Sequence, residues 1–256
     1  MQRRLILDTI ENARDLGGYP TTDGKQTRWR VFVRTDHFQA WSQNTQQMLV
    51  DYGIKLIIDL RDPYEIQDLP NAFAESQHVH YVNAPVLTDE VHLSERFRTL
   101  EDGMHGHHEM YQFMVDECSA QVGKIMTTIA TYHTQATLFH CHAGKDRTGL
   151  VAALLLSLAG VSDEIIAQDY ALTGEYLVER FAQRRANALA AGDDMARFEI
   201  MHAYAPETML TTLNYLRERY GSIPDYLRAC DVSEAHIATL RTMLVEAFNG
   251  YKEMES

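Results

Sequence analysis

Short runs of apolar and β-branched residues alternate with longer stretches of helical periodicity along the first part of the chain. The short runs predict strands at 31–34, 55–60, 79–83 and 137–140. Apolar positions recur with a period of about 3.6 residues between and after them, which predicts helices at 42–52, 109–131 and 150–159. Strands that alternate with helices are typical of an α/β layered sheet. The nearly continuous apolar segment LIIDL, at 56–60, predicts a central strand that is covered on both faces.

The second half of the chain contains no further strand run, and helix is predicted throughout it. Two amphipathic stretches, 175–190 and 195–204, are separated by the sequence AGDD. Pro206 is predicted to begin another helix that Gly221 ends, and Ser233 to cap a last helix that extends through Phe248. Because no convincing linker interrupts the pattern, we expect a single domain over 1–256.

Composition and charge narrow the functional classes. A content of 45% hydrophobic and 23% charged residues among 256 is ordinary for a globular protein, so a core can form without disulfides or metal. The net charge of −13 disfavours non-specific binding to nucleic acid or to an anionic membrane. An anionic substrate therefore needs a local positive site that works against the overall field.

The cysteines and the N-terminus bear on the compartment. Cys118, Cys141 and Cys230 are too few and too irregularly spaced for a disulfide framework. The apolar run near the N-terminus is far too short for a signal peptide, and no run approaches the roughly 20 apolar residues of a membrane-spanning helix. We expect a cytoplasmic protein without stable membrane insertion, although export without a cleaved signal is compatible with the sequence.

The segment HCHAGKDRTG, at 140–149, carries the strongest chemical signal. It joins a predicted strand to a predicted helix, so Cys141 stands at a strand-to-helix turn. Backbone N–H groups from 142 to 147 can converge there on one anion, assisted by the helix dipole, and the same field favours the nucleophilic thiolate. Arg147 follows after five intervening residues, and its planar fork can bind two phosphate oxygens.

The other residues of this loop have supporting roles. Gly144 allows close approach of the backbone, Gly149 allows tight packing at the helix start, and the Thr148 hydroxyl can stabilise the thiolate as a leaving group. The residues predicted to bind the substrate phosphate are His142, Ala143, Gly144, Lys145, Thr148 and Gly149.

Two other interpretations of the loop are weaker. A Walker A loop requires glycine at position 139 and serine or threonine at 146, where the chain has Phe139 and Asp146. A buried structural cysteine that happens to precede an arginine is the simpler alternative. A bare Cys-x5-Arg spacing is common, but the complete string between a strand and an apolar helix is much rarer.

The loop resembles the active site of bacterial cysteine-dependent tyrosine and phosphoinositide phosphatases. The segment NARDLGGY at 12–19 resembles the N-terminal motif of that family, although Ala13 stands where an aromatic residue is common. Further similar segments follow in order at 34–36, 58–61 and 220–227. The resemblance implies a central, mostly parallel twisted sheet flanked by helices. It also implies activity on phosphotyrosine, often with tolerance for phosphoserine, phosphothreonine or phosphoinositides, and a helical lid.

The general acid that protonates the leaving oxygen has two candidates. Asp89 follows a predicted strand end, and Asp146 lies inside the loop, where it could instead brace the backbone. Lys145 could bind a second phosphate or simply attract the first. We expect about 174–204 to form a two-helix lid that opens for substrate; a permanently packed helical hairpin is the alternative.

Several polar residues outside the loop have alternative roles. His140 is expected to brace the loop. Arg14 and Asp15, and likewise Asp59 and Arg61, could orient the loop or hold phosphate, or could form ion pairs that tie the N-terminal segment to the sheet. Two groups of histidines suggest a metal site, namely His78 with His80, and His105 with His107 and His108. No clear set of further ligands completes either group. We predict no metal and no cofactor.

The sequence thus predicts a phosphoric monoester hydrolase, a protein-tyrosine phosphatase, that works through a phosphocysteine on Cys141. Its substrate partner would be a phosphoprotein or a phospholipid headgroup. The alternatives are a phosphatase that acts mainly on phosphoinositides, a phosphate-binding module without turnover, and sulfur or arsenate transfer by a similar loop.

Overall fold

The structure, a computed structural model, describes residues 2–247. Its main sheet has five strands in the order β1-β3-β6-β4-β5, and β2 and β7 form a separate antiparallel pair. The strands are Arg14–Asp15 (β1), Lys25–Thr27 (β2), Phe32–Thr35 (β3), Ile54–Asp59 (β4), His80–Asn83 (β5), Ala136–His140 (β6) and Val245–Ala247 (β7). The four longer strands of the main sheet are the four strands that the apolar runs predicted.

The main sheet is parallel except at its edge, where β1 runs antiparallel to β3. The register aligns His140 with Thr35 on one side and with Asp59 on the other, and Asp59 in turn with Asn83. The carboxyl ends of these strands therefore lie at one edge, which is where open α/β sheets bind ligands.

Helices lie on both faces of this sheet. In the first part of the chain they are Gln43–Tyr52 (α1), Pro63–Asp68 (α2), Asp89–Leu93 (α3), Glu95–Gly103 (α4), His107–Glu117 (α5), Ser119–Thr131 (α6) and Asp146–Leu158 (α7). The later helices are Asp163–Tyr176 (α8), Val178–Ala191 (α9), Met195–Met201 (α10), Pro206–Tyr220 (α11), Ile223–Ala229 (α12) and Glu234–Leu244 (α13). The predicted α/β fold with a mostly parallel sheet and a largely helical C-terminal half is confirmed.

Alternation along the central strands divides the core into two clusters. Leu138 and Ile57 belong to the cluster beside α1, whereas Phe139 and Ile58 face the larger cluster around α7. Successive side chains of a strand point to opposite faces, so a strand that is apolar at consecutive positions must be covered on both. Helix α7 is buried along almost its whole length, which places the start of that helix deep in the molecule.

Several predicted helix boundaries were wrong. The predicted helix 109–131 is interrupted at Cys118, whose backbone leaves helical geometry (φ −106°, ψ 20°) between α5 and α6. The apolar period continues on both sides of this break, so periodicity alone did not reveal it. The last helix ends at Leu244, because Val245–Ala247 pairs with β2, and Phe248 lies outside the described residues.

The segment predicted as a lid forms two helices, α9 and α10. Gly192 ends α9 in the left-handed region (φ 79°), and Asp194 caps α10 through the N–H groups of Ala196 and Arg197. Phe181 of α9 stacks on Tyr204, with ring centroids 5.6 Å apart. The hairpin is thus packed in this structure, and its opening remains a prediction.

Candidate active site

The loop that contains Cys141 connects β6 to α7, as the sequence predicted. Cys141 directly follows β6 and is 2% exposed, and Arg147 lies in the first turn of α7. Gly144 has a positive φ of 64°, and a Cβ atom there would lie 2.4 Å from the carbonyl oxygen of Thr35. Only glycine fits this position, because both the backbone conformation and the contact with β3 exclude a side chain.

The loop carbonyls are held from outside the turn. Arg34 donates from Nη2 to the carbonyl oxygen of Gly144 (2.8 Å), and Asn12 donates from Nδ2 to that of Ala143 (3.0 Å). The N–H of His37 donates to the carbonyl oxygen of His142 (2.8 Å). These hydrogen bonds fix the orientation of the peptide groups that surround Cys141.

The loop amides, by contrast, are not engaged by the protein. Within residues 2–247, no hydrogen bond has a backbone N–H of 142–147 as its donor. These groups stand at the N-terminus of the 13-residue helix α7, whose dipole favours negative charge. Unpaired N–H groups at such a position form an anion-binding site.

A buried ionic network supports the loop from below. Asp169 of α8 accepts from Arg14 Nε (3.0 Å) through Oδ1 and from Arg34 Nη1 (2.6 Å) through Oδ2. Although burial opposes ionisation, the two guanidinium groups lower the pKa of Asp169 to about 2. Because Arg34 also holds the carbonyl of Gly144, Asp169 is coupled to the loop through Arg34.

Asp169 was not predicted as a site residue. The only signal in the sequence is an acid on the buried face of a helix, since both neighbours one turn away, Ile166 and Thr173, are buried as well.

The N-terminal residues Arg14 and Asp15 have structural contacts. Because Arg14 donates to Asp169, it belongs to the loop support rather than to the phosphate site. The Asp15 carboxylate accepts from the N–H groups of Gly17 and Arg30 and so ties down the N-terminal segment.

His140 anchors the first residue of the loop. Burial lowers the pKa of His140, so the ring is neutral, and its Nδ1–H donates to the carbonyl oxygen of Cys141 (3.1 Å). Its Nε2 then accepts from Asn71 Nδ2 (2.9 Å). Asp59 and Arg61 form a bidentate pair nearby, with contacts of 2.9 and 2.7 Å. These contacts are of the bracing kind that we expected for His140.

Arg147 is paired with Glu65 of α2. Both terminal nitrogens of the guanidinium donate to the carboxylate, from Nη2 to Oε1 at 2.8 Å and from Nη1 to Oε2. Burial opposes ionisation of Glu65, but the hydrogen bonds and the charge of Arg147 lower its pKa to about 2. The guanidinium that is predicted to bind phosphate is thus already hydrogen-bonded to a carboxylate. Glu65 was not predicted as a site residue.

Asp146 faces a buried histidine. Its Oδ1 lies 2.7 Å from His107 Nε2, 3.3 Å from the Tyr111 hydroxyl and 3.5 Å from Lys145 Nζ. Burial would raise its pKa, but Lys145 and His107 hold the pKa of Asp146 well below the usual range. His107, which we had considered only as a metal ligand, therefore contacts a candidate catalytic acid.

Lys145 and Asp89 differ in how they relate to the site. Lys145 is buried, and its ammonium donates to the carbonyl oxygens of Met201 (2.9 Å) and Ala203 (3.0 Å), both within the predicted lid. Asp89 is exposed in the first turn of α3. Among residues 2–247, no hydrogen bond or ion pair connects Asp89 with the catalytic loop.

Thr148 and Gly149 complete the start of α7. The Thr148 side chain is fully buried, and its hydroxyl has no hydrogen-bond partner within the described part of the chain. A Cβ atom on Gly149 would lie 3.0 Å from the Tyr111 hydroxyl and 3.3 Å from the Tyr170 ring, so glycine lets these rings pack against the helix. Among the described residues the hydroxyl therefore makes no hydrogen bond to the Cys141 sulfur, and its predicted role towards the thiolate stays a prediction.

Comparison with known proteins decides the family. The family model described as "Tyrosine phosphatase family" matches residues 5–246. The chain belongs to the tyrosine phosphatase family. It is 30% identical over 223 residues to a tyrosine-protein phosphatase of Nostoc commune, covering 85% of this chain and 75% of that protein.

Two further relatives of this tyrosine phosphatase are similar over most of their length. A Cupriavidus necator protein, provisionally described as a tyrosine-protein phosphatase, is 30% identical over 249 residues, or 93% of this chain and 86% of that protein. The triple specificity protein phosphatase PtpB of Mycobacterium tuberculosis is 25% identical over 230 residues, 75% of this chain and 83% of that protein. The predicted phosphatase family is thereby confirmed.

Three other features of the phosphatase concern metals, membranes and cysteines. In the described range 2–247, no group of three or more His, Cys, Asp or Glu side chains is arranged to hold a metal ion. None of the helices in that range combines the length and the apolar character needed to cross a membrane. All three cysteines are buried and free.

Proposed function

We propose that this phosphatase hydrolyses phosphotyrosine in proteins through a phosphocysteine on Cys141. The observation that carries the proposal is the set of unengaged N–H groups at 142–147, which surrounds Cys141 at the N-terminus of α7. A phosphate group placed there would be bound by backbone donors, by the helix dipole and by Arg147. We further propose that the whole chain acts as one phosphatase domain, since the family match spans 5–246.

In the first step, the Cys141 thiolate attacks phosphorus in line with the leaving oxygen. The S–P bond forms as the P–O bond to tyrosine breaks, and a general acid delivers a proton to that oxygen. Arg147 and the loop amides stabilise the charge on the three non-bridging oxygens. Because the loop carbonyls are already held by Arg34, Asn12 and His37, these donors need little reorganisation.

We propose Asp146, supported by His107, as the general acid in preference to Asp89. Asp146 lies in the loop with His107 Nε2 2.7 Å from its carboxylate, whereas Asp89 is exposed and makes no hydrogen bond or ion pair with the loop within residues 2–247. Asp146 is ionised without substrate, because Lys145 and His107 lower its pKa. A bound phosphate dianion raises the pKa of Asp146 by like-charge repulsion, so that the carboxyl can carry the proton that it delivers to the leaving oxygen.

In the second step, water attacks the phosphocysteine, the S–P bond breaks, and the thiolate leaves with inorganic phosphate as the product. Asp146, deprotonated by the first step, accepts a proton from this water. The Thr148 hydroxyl makes no hydrogen bond to Cys141 in the described structure, so it would turn towards the sulfur to donate to the departing thiolate. Removal of Thr148 should therefore slow hydrolysis of the intermediate more than its formation.

Activity on phosphoserine, phosphothreonine and phosphoinositides is a second part of the proposal. It is supported by the similarity to PtpB, whose name states triple specificity. Phosphoinositides as the main substrate would require Lys145 to leave the carbonyl oxygens of Met201 and Ala203 in order to bind a second phosphate. For this reason we place protein phosphotyrosine first.

A direct experiment compares phosphotyrosine peptide, phosphoserine peptide and phosphoinositide with wild type, Cys141→Ser and Cys230→Ala. The last variant removes a buried thiol at the end of α12, on a different element from the loop, and serves as the control. We expect turnover by wild type and Cys230→Ala, none by Cys141→Ser, and a gain of one phosphoryl group on wild type in acid-quenched samples. Turnover by Cys141→Ser would refute the mechanism. Phosphate binding by wild type without any turnover would favour the binding module, and sulfur or arsenate transfer in its place would refute the phosphatase assignment.

A further inference from the structure

A second cationic position lies at the mouth of the catalytic loop. Arg184 of α9 donates from Nη2 to Nε2 of the loop residue His142, at 3.1 Å. Its guanidinium also lies 5.1 Å from the centre of the Phe38 ring, and that ring contacts His142 edge-on at 4.8 Å. Arg184, Phe38 and His142 therefore form one cluster, which we call the rim cluster, on the surface beside Cys141.

The charge of Arg184 is not neutralised by its neighbours. Burial and the nearby guanidinium lower the pKa of His142 to about 4, so this ring is neutral and accepts the hydrogen bond. Within the range that the structure describes, no carboxylate lies within 4.0 Å of Arg184. A partly exposed arginine beside a neutral imidazole retains its full positive charge and keeps donors free for an anion.

The two nearest arginines of the same helix show the contrast. Arg180 donates to Glu11, and its guanidinium lies 4.2 Å from the centre of the Phe38 ring. Arg185 donates from Nε to Glu199 at 2.6 Å and is largely exposed. Arg180 and Arg185 are each paired with an acid, whereas Arg184 is not. Burial and repulsion from the charge of Arg180 lower the pKa of Arg184, and an anion bound at Arg184 would offset both effects.

Resting on the proposed function, we propose that the rim cluster is a second anion-binding subsite that takes a carboxylate of the substrate peptide next to its phosphorylated residue. Arg184 would bind the carboxylate, while Phe38 contacts the apolar part of the same side chain. The substrate class is thus an acidic phosphopeptide. Loop residue Lys145 cannot supply this subsite in the observed arrangement, because its ammonium is engaged by Met201 and Ala203.

A peptide is favoured over a lipid headgroup by the overall charge. The net charge of −13 opposes approach to an anionic membrane, whereas an acidic side chain on a soluble peptide meets only the local field at the rim. Arg184 lies on α9, in the helical hairpin of α9 and α10, so the subsite is formed only while the hairpin lies over the loop.

The experiment measures kcat/KM for two phosphotyrosine peptides that differ only in flanking residues, Asp and Glu in one and Asn and Gln in the other. We expect wild type to prefer the acidic peptide by about three- to tenfold, the range for one charge-assisted contact. Arg184→Gln should bring the ratio close to one, and Arg184→Lys should restore part of it. Arg185→Gln, which removes the same charge one residue away on the same helix, should leave the ratio as in wild type.

Each result separates the two proposals. If wild type hydrolyses neither peptide, the proposed function fails. If it hydrolyses both equally, or if Arg184→Gln retains the preference, the subsite is overturned while the phosphatase remains. A soluble inositol bisphosphate that outcompetes the acidic peptide in wild type but not in Arg184→Gln would also overturn the assignment to a peptide.

A second measurement does not depend on the folding of Arg184→Gln. The wild-type ratio should fall towards one between about 0.1 and 1 M salt, because screening weakens attraction between charges at an open rim. A ratio that does not change with salt would overturn an ionic subsite.

Discussion

Arg147 and Glu65 form a two-point ion pair across the candidate active site, with the terminal nitrogens of the arginine on the two carboxylate oxygens. The carboxylate lies where the arginine is predicted to meet phosphate. If Arg147 binds phosphate as proposed, we expect substrate and Glu65 to compete for the same donors and the negative charge of Glu65 to repel a phosphate dianion. We therefore expect the pair to hold Arg147 in place without substrate and to lower the affinity for phosphate.

Replacing Glu65 tests this competition. We expect Glu65→Gln to bind inorganic phosphate about three- to tenfold more tightly at pH 7, since the neutral amide competes less and no longer repels the anion. Competitive inhibition by phosphate measures the change in phosphate affinity. Glu90→Gln, a substitution of an exposed glutamate, serves as the control. Weaker phosphate binding by Glu65→Gln would instead mean that Glu65 acts mainly by orienting Arg147.

The proton donor is tested through the leaving group. Asp146→Asn should lower kcat for phosphotyrosine peptide by about 100-fold, because a poor leaving group needs protonation. An aryl phosphate with a much more acidic phenol should lose far less. The dependence of kcat on leaving-group pKa measures this difference, and His107→Asn should shift it in the same direction. A selective loss in Asp89→Asn, with none in Asp146→Asn, would move the acid role to Asp89.

The buried network around Asp169 predicts a large effect on stability. Asp169→Asn leaves Arg14 and Arg34 buried without a counter-charge, and we expect a loss of about 3–5 kcal/mol in the free energy of unfolding. Urea unfolding measures it. Asp163→Asn, on the same helix and paired with Arg217 at the surface, should cost at most about 1 kcal/mol. Equal losses in both variants would contradict the assignment.

The lowered pKa of Asp169 also predicts how the free energy of unfolding depends on pH. The pKa of Asp169 is lowered to about 2 in the folded protein, against about 3.9 for an unperturbed aspartate. Its contribution is therefore complete above pH 4 and is lost as the pH falls towards 2. The difference in stability between wild type and Asp169→Asn should shrink over that window.

For Asp36 we expect the free energy of unfolding to depend on pH with the opposite sign. Its Oδ1 accepts from the N–H groups of Glu11 and Asn12, while its Oδ2 is buried without a partner within residues 2–247. Burial raises the pKa of Asp36 to about 7, so the folded state holds a proton that the unfolded chain releases near pH 4. Stability contributed by this group is complete below pH 4 and is lost as the pH rises to about 7.

The variant Asp36→Asn removes this titration while keeping the oxygen that accepts from the two N–H groups. The stability of Asp36→Asn relative to wild type should increase by about 2–4 kcal/mol between pH 4 and pH 8. Paired urea titrations across that range give the difference directly. A difference that is flat with pH would show that Asp36 is ionised in the folded protein throughout.

The sequence by itself determined the four longer strands of the main sheet, the strand-to-helix loop around Cys141 and the resemblance to the family, because each depends on residues that are close together in the chain. Apolar runs predicted the strands β3 to β6, and the string from His140 to Gly149 predicted a turn between a strand and a helix. Local signals of this kind are read correctly since strand alternation, helix period and turn residues act over a few positions.

Only the tertiary structure decided what each loop side chain contacts. Glu65 lies 82 residues from Arg147 in the chain, His107 lies 39 from Asp146, and Asp169 lies 135 from Arg34. No periodicity or motif encodes such pairs, because they form when separate elements pack against the same edge of the sheet. For that reason the strand-to-helix loop that contains Cys141 could be predicted, while the ion-pair partners of Arg147 and Asp146 could not.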